Sequence, residues 1–88
     1  MNVSEPEIWN DADDYADVSI YITTGKKEEW KFNLYLEKET GQIFDSCTQY
    51  APTLEDCFDQ ATVEPPIEVY EAFLASRQKA VTLLKGLK

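Results

Sequence analysis

The strongest alternation in the chain runs through EWKFNLYLEK, residues 29–38. Trp30, Phe32, Leu34 and Leu36 fall on one side, and Lys31, Asn33, Tyr35 and Glu37 on the other. A period of two over this length predicts a strand with one buried face. VSIYITT, residues 18–24, sets Val18, Ile20 and Ile22 against Ser19, Tyr21 and Thr23, and is rich in β-branched side chains. GKKE at 25–28 reads as the turn between them, giving an antiparallel hairpin with one wet face. ETGQ at 39–42 reads as a second turn, with Gly41 free to take positive φ. IFDSCTQY at 43–50 reads as a third strand. Its register stays open: Phe44, Ser46, Thr48 and Tyr50 alternate with Ile43, Asp45, Cys47 and Gln49, and either set can face inward.

Beyond Pro52 the period changes. Thr53 is a good N-cap, and Leu54, Cys57, Phe58 and Ala61 fall at i, i+3, i+4 and i+7. Glu55, Asp56 and Asp59 lie opposite, which predicts a short helix that Pro65 and Pro66 bring to an end. A longer helix is predicted from Pro66 to about Leu84, with a stripe of Ile67, Tyr70, Leu74, Val81 and Leu84 widened by Phe73 and Ala80. Glu68 and Glu71 sit early in it; Arg77, Lys79, Lys85 and Lys88 sit late. That order complements the helix dipole, so the basic end needs no phosphate ligand to explain it. At the other terminus, Ser4 and Glu7 fit a capping box and Pro6 a first turn. Ile8, Ala12 and Tyr15 then recur at near-helical spacing, predicting a short helix over residues 5–16. Asn10, Asp11, Asp13 and Asp14 are poor helix formers, so an irregular arm anchored by Ile8 and Trp9 is the alternative.

The expectation is an α+β domain: a three-stranded antiparallel β-meander with a long C-terminal helix packed on one face, a short helix before it and a short helix or arm at the N-terminus. The whole of 1–88 reads as one small domain, divided into an acidic segment 1–17, the meander 18–50 and a helical part 53–88. A chain of 88 residues buries only about 60–65% of its unfolded surface, enough for one helix-on-sheet layer and no second lobe to form a cleft. At 43% hydrophobic residues it is too apolar to be disordered.

Charge narrows the functions. Seventeen acids against eight bases leave a net charge of −9. Direct binding to nucleic acid or to an anionic membrane needs Lys and Arg at the contact face, so both are excluded as expectations. A basic partner is favoured instead, because opposite fields steer association. The N-terminus lacks the basic-then-apolar pattern of a signal peptide, and no apolar run reaches membrane-spanning length. With two cysteines only, the chain reads as cytoplasmic with reduced thiols. Cys57, on the apolar stripe of its helix, is expected to be a buried structural thiol.

NDADDYADV, residues 10–18, concentrates four aspartates. An EF-hand loop starting at Asp11 would need ligands where Tyr15 and Ile22 stand and glycine where Ala16 stands, so the motif fails. With no histidine and no CxxC spacing there is no Cys/His zinc site, and neither metal nor cofactor is expected. Catalysis is not expected either, since there is no histidine for acid–base work near neutral pH and no GxSxG, P-loop or GxGxxG occurs. Residues 1–25 hold six acids and no base, and eight more acids separate Lys38 from Arg77 with no base between. If these segments converged, they would offer a surface that imitates a nucleic acid; otherwise they are a solvated face.

Two likenesses follow from these elements. The helix–strand–strand–strand–helix order resembles that of double-stranded RNA-binding domains, a family that contacts phosphates through basic residues which this acidic unit lacks. The passage from IFDSCTQY into TLEDCFDQA resembles HicB-type antitoxins, in which a β-meander feeds a helix. Neither likeness rests on a motif, and no residue role is carried over.

The functional expectation is a non-catalytic protein-binding module that covers a basic surface of a nucleic-acid-handling partner, as small acidic anti-CRISPR and anti-restriction inhibitors of phages do. Its contact residues would be Asp11, Asp13, Asp14, Asp17, Glu55, Asp56 and Asp59, with Tyr21 and Tyr35 as aromatic anchors and Tyr50 beside them. The alternatives are an antitoxin or immunity protein with one cognate toxin, or a structural subunit that forms a homodimer through a free strand edge.

Overall fold

Tyr15–Thr23 and Glu29–Glu37 are paired over their whole length, from Tyr15 opposite Glu37 to Thr23 opposite Glu29. They form the centre of an antiparallel sheet in a computed structural model that describes residues 1–87, so Lys88 lies outside the described residues. Among the described residues the elements are β1 (Asn2–Val3), β2 (Glu7–Asp11), β3 (Tyr15–Thr23), β4 (Glu29–Glu37), β5 (Gln42–Ala51), β6 (Asp59–Gln60) and α1 (Ile67–Lys85). β1 and β2 both pair with β3 and together make one interrupted edge; β4, β5 and β6 follow in order on the other side.

The expected three-stranded meander is therefore wrong in width and in both flanks, although the α+β class fits in part. The segment expected as an N-terminal helix or arm forms strands. Its Asp and Asn residues, poor in helices, suit the tight turn at 12–14 that joins β2 to β3. Ser4 is no helix cap: its N–H donates to the Tyr21 carbonyl at 2.8 Å, and its Oγ accepts the Tyr21 N–H at 2.9 Å. That exchange ties the edge together where Pro6, which has no N–H, interrupts it. The first helix is missing, and with it the element order shared with double-stranded RNA-binding domains.

The short helix expected after Pro52 is also absent. Thr53 Oγ1 does accept the Glu55 N–H at 3.3 Å and donates to Asp56 at 2.8 Å, but the turn it starts does not propagate. Two turns between prolines make a marginal helix. The chain instead extends so that β6 pairs with Gln49 and Tyr50 of β5. Leu54 and Cys57 are exposed, so Cys57 is not the buried thiol expected; Cys47 is exposed as well, and both thiols are free. Helix begins only at Ile67, so the segment 53–66 is not helical.

One side of the sheet carries the core. Ala16, Val18, Ile20 and Ile22 of β3 and Trp30, Phe32, Leu34 and Leu36 of β4 are covered by Val69, Phe73, Ala80 and Leu84 of α1. Phe73 stacks on Phe32 with ring centroids 4.2 Å apart. The buried helix stripe differs from the expected one: Ile67, Tyr70 and Leu74 are exposed, while Val69, absent from that stripe, is buried. The third-strand register resolves through a bulge opposite Asn33. Ile43 and Asp45 face the helix before it, and Thr48 and Tyr50 face the helix after it. Tyr50 thus packs on Trp30 at 4.5 Å and does not join the outer tyrosines. Among the described residues no helix is long and apolar enough to cross a membrane.

Candidate functional site

The face of the sheet away from α1 is open, and alternation along β3 and β4 dictates what it displays. Tyr15, Asp17, Ser19 and Tyr21 of β3 stand opposite Glu37, Tyr35, Asn33 and Lys31 of β4. Two aromatic groups result, separated by a polar pair.

The first group lies at the end where β3 begins. Tyr15 stacks on Tyr35 with centroids 5.7 Å apart, and Phe44 of β5 tilts against Tyr35 at 6.3 Å. Carboxylates ring this row. Burial raises the Tyr35 pKa first, and the nearby charges of Glu37, Asp14 and Asp17 raise it further. Asp17 is half-buried between Asn10 and Tyr35, its Cα neighbours on either side. Burial pushes its carboxyl up from the usual value of 3.8, against a hydrogen bond from Asn10 that lowers it. Asp13 and Asp14 are exposed at the tip of the β2–β3 turn. Asp11 is not free: Lys38 Nζ bonds its carboxylate and the Ala12 carbonyl together.

The second group surrounds Lys31. Its ammonium lies 5.3 Å from the Trp9 ring centroid, 5.6 Å from Tyr21 and 5.8 Å from Phe58. The cation draws the β2 edge and the 52–58 loop onto the open face through the negative faces of the rings. Tyr21, expected as an anchor, is thereby engaged inside the fold, also against Phe58 at 5.7 Å. Glu55 and Asp56 are in that loop, and Asp59 is on β6 opposite Tyr50 of β5, which in turn pairs with Trp30 of β4.

The two acidic segments therefore do not converge. Asp11, Asp13, Asp14 and Asp17 cluster at the Tyr15 end of β3, and Glu55, Asp56 and Asp59 lie toward the Thr23 end. Eight residue steps of strand separate those ends, about 26 Å at a rise of about 3.3 Å per residue. The structure unites Asp14 and Asp17 with Tyr35, and adds Tyr15, Phe44 and Glu37, which sequence reasoning did not select. The period-two pattern carries the signal for Tyr15, which continues the Tyr21, Ser19, Asp17 series, but the expectation of a helix over 5–16, or of an irregular arm, hides it. Among the described residues no group of three acidic or thiol side chains could hold a metal ion.

Comparison of the chain with protein-family models, with curated proteins and with solved structures gave no match.

Proposed function

We propose that this chain is a non-catalytic protein-binding module that docks on a basic surface of a larger cytoplasmic partner. The observation that carries the reading is the Tyr15–Tyr35–Phe44 row on the open face, set among Asp14, Asp17 and Glu37. Rigid aromatic area at the centre with charge around it is the composition of a binding hot spot. A net charge of −9 selects a cationic counterpart and speeds its approach. Proteins that handle nucleic acids present such surfaces, so inhibition by covering one is the proposed action, in the manner of small acidic anti-defence proteins. Free, exposed Cys47 and Cys57 suit a reducing compartment. An antitoxin or immunity protein would use the same face with a single cognate partner.

The test is affinity capture from host lysate followed by titration of the purified partner against variants. Tyr35→Ala should weaken binding about tenfold or more at every salt concentration, the effect of losing a central aromatic anchor. Asp13→Lys with Asp14→Lys should slow association and flatten its salt dependence. If both leave binding unchanged while charge reversal at Glu55, Asp56 and Asp59 abolishes it, the Tyr15–Tyr35–Phe44 row is not the site.

A further inference from the structure

The two edges of the sheet are unlike. The β1–β2 edge is guarded: Pro6 interrupts it, a bulge lies between Ile8 and Asn10, and Glu7 and Asp11 bring charge. Such features keep strands from pairing with foreign chains. β5 is different. β6 pairs with it only at Gln49 and Tyr50, and the Ala61 N–H adds one bond to the Thr48 carbonyl. Among the described residues no strand lies beside Gln42–Cys47 on the side away from β4. This stretch, QIFDSC, contains no proline and no lysine. Its one charge, Asp45, faces the helix side and is held by Arg77 through two bonds of 3.0 and 3.1 Å. The bulge opposite Asn33 takes in Ser46 and Cys47, the last two residues of the free stretch.

The surroundings say what would fit there. On the helix side, a groove of about 310 Å³ runs between β5 and α1, lined by Phe32, Tyr70, Phe73 and Leu74 together with the paired Asp45 and Arg77. Tyr70 and Leu74 are each 48% exposed in it. On the open side, exposed Phe44 borders the Tyr35 row with its carboxylates. A strand beside β5 would point alternate side chains into these two environments. One set would meet the aromatic and aliphatic side chains of α1 beside the neutralised Asp45–Arg77 pair, and the other would meet rings flanked by negative charge. A second copy of this chain would bring another −9 charge to the same edge.

We propose that the free edge of β5, Gln42 to Cys47, accepts an extended partner segment of alternating apolar and basic residues as an added strand. Main-chain hydrogen bonds would give affinity, and the alternation would give specificity. The proposal rests on the basic-partner reading above and adds to it the edge, the strand geometry and the residue pattern.

The probe is a synthetic octapeptide alternating valine and lysine, titrated against the full chain with amide hydrogen exchange as the readout. Two analogues carry backbone N-methyl groups on one or the other alternate set of residues. The expected result is binding with slowed exchange confined to residues 42–47, and a loss of about tenfold or more, at least 1.4 kcal/mol, for one analogue but not both. If both analogues bind like the parent and Tyr35→Ala abolishes binding, the edge proposal falls while the basic-partner reading stands. If no peptide binds and the chain sediments as a dimer with residues 42–47 already protected, the edge belongs to a second copy and the proposal falls. If no peptide binds and the chain is monomeric with residues 42–47 exchanging freely, the proposal falls as well.

Discussion

Ser19 Oγ donates a hydrogen bond to Asn33 Oδ1 at 2.7 Å, joining the two central strands at the one place where the open face is buried. The Asn33 amide then reaches β5, where its two N–H groups meet the Cys47 carbonyl at 3.0 Å, Gln49 Oε1 at 3.2 Å and Cys47 Sγ at 3.3 Å. One side chain thus bridges three strands and pins the bulge that lets β5 turn both Asp45 and Thr48 toward the helix.

Removing Asn33 should loosen that bulge. Asn33→Ala leaves Ser19 and the Cys47 carbonyl without their partner, at a cost of about 1–3 kcal/mol. Urea denaturation should show the lowered midpoint, and amide exchange should rise around Cys47. Asn33→Asp should be worse, because it removes the donors and buries a carboxylate. An Asn33→Ala protein with an unchanged midpoint would mean that the network does not stabilise the fold.

Lys31 makes a separable contribution at the other end of the face. Lys31→Met keeps the stem but removes the cation between Trp9, Tyr21 and Phe58. A loss of about 1 kcal/mol is expected, the size of a partly exposed cation–π interaction. The 52–58 loop should also become easier to cleave with protease, while Lys31→Arg should restore most of the protection. Equal cleavage rates in all three proteins would show that Phe58 is held by apolar contact alone.

These contacts mark where sequence and structure part. The alternation of Val18, Ile20 and Ile22 against Trp30, Phe32, Leu34 and Leu36 made the central hairpin readable, because a sheet covered on one face imposes a period of two. Tyr35 was readable as an outer-face residue for the same reason. The strand at Glu7–Asp11 was not, since its bulge at Trp9 breaks the alternation and Ser4 with Glu7 imitates a helix cap. Phe58 imitated a helix stripe with Leu54, Cys57 and Ala61, yet its ring is used on the open face, a tertiary preference that no local window contains. On α1, Phe73, Ala80, Val81 and Leu84 were readable as buried, but the choice of Val69 over Ile67, Tyr70 and Leu74 depended on how the helix crosses the sheet. The aromatic row itself joins residues from three strands, so it existed for the reader only after the pairing was known.

The acidic end of the face should leave a pH signature through Asp17. Its burial raises the folded-state pKa above 3.8, so the folded chain holds that proton more tightly than the unfolded chain does. Ionised Asp17 therefore detracts from stability above the folded pKa. The loss shrinks as the pH falls through that value and is gone below 3.8. Asp17→Asn should stabilise the protein at pH 7 by on the order of 0.5 kcal/mol, allowing for solvent screening of a partly covered carboxylate. Thermal melts of both proteins should converge at low pH. A gain that persists unchanged below the window would point to packing or hydrogen bonding by the amide instead.

The helix offers the sharpest contrast between neighbouring aromatics. Phe73 is 5% exposed and stacked on Phe32 with only 10° between the ring planes, whereas Tyr70 is 48% exposed beside the β5 groove. Phe73→Ala removes a ring from the only helix layer that covers the described sheet, and should cost about 3–5 kcal/mol. That approaches the whole stability of many domains, so the variant should be partly unfolded at room temperature. Tyr70→Ala should change stability by only about 0.5 kcal/mol, because its ring already faces water over much of its area. Circular dichroism melts of the two variants check the pair. If Tyr70→Ala proved as damaging as Phe73→Ala, the helix would be seated on the stripe of Ile67, Tyr70 and Leu74, and the groove beside β5 would be closed. A benign Tyr70→Ala instead leaves that ring available to whatever lies along the free edge, where its loss would be felt in binding and not in folding.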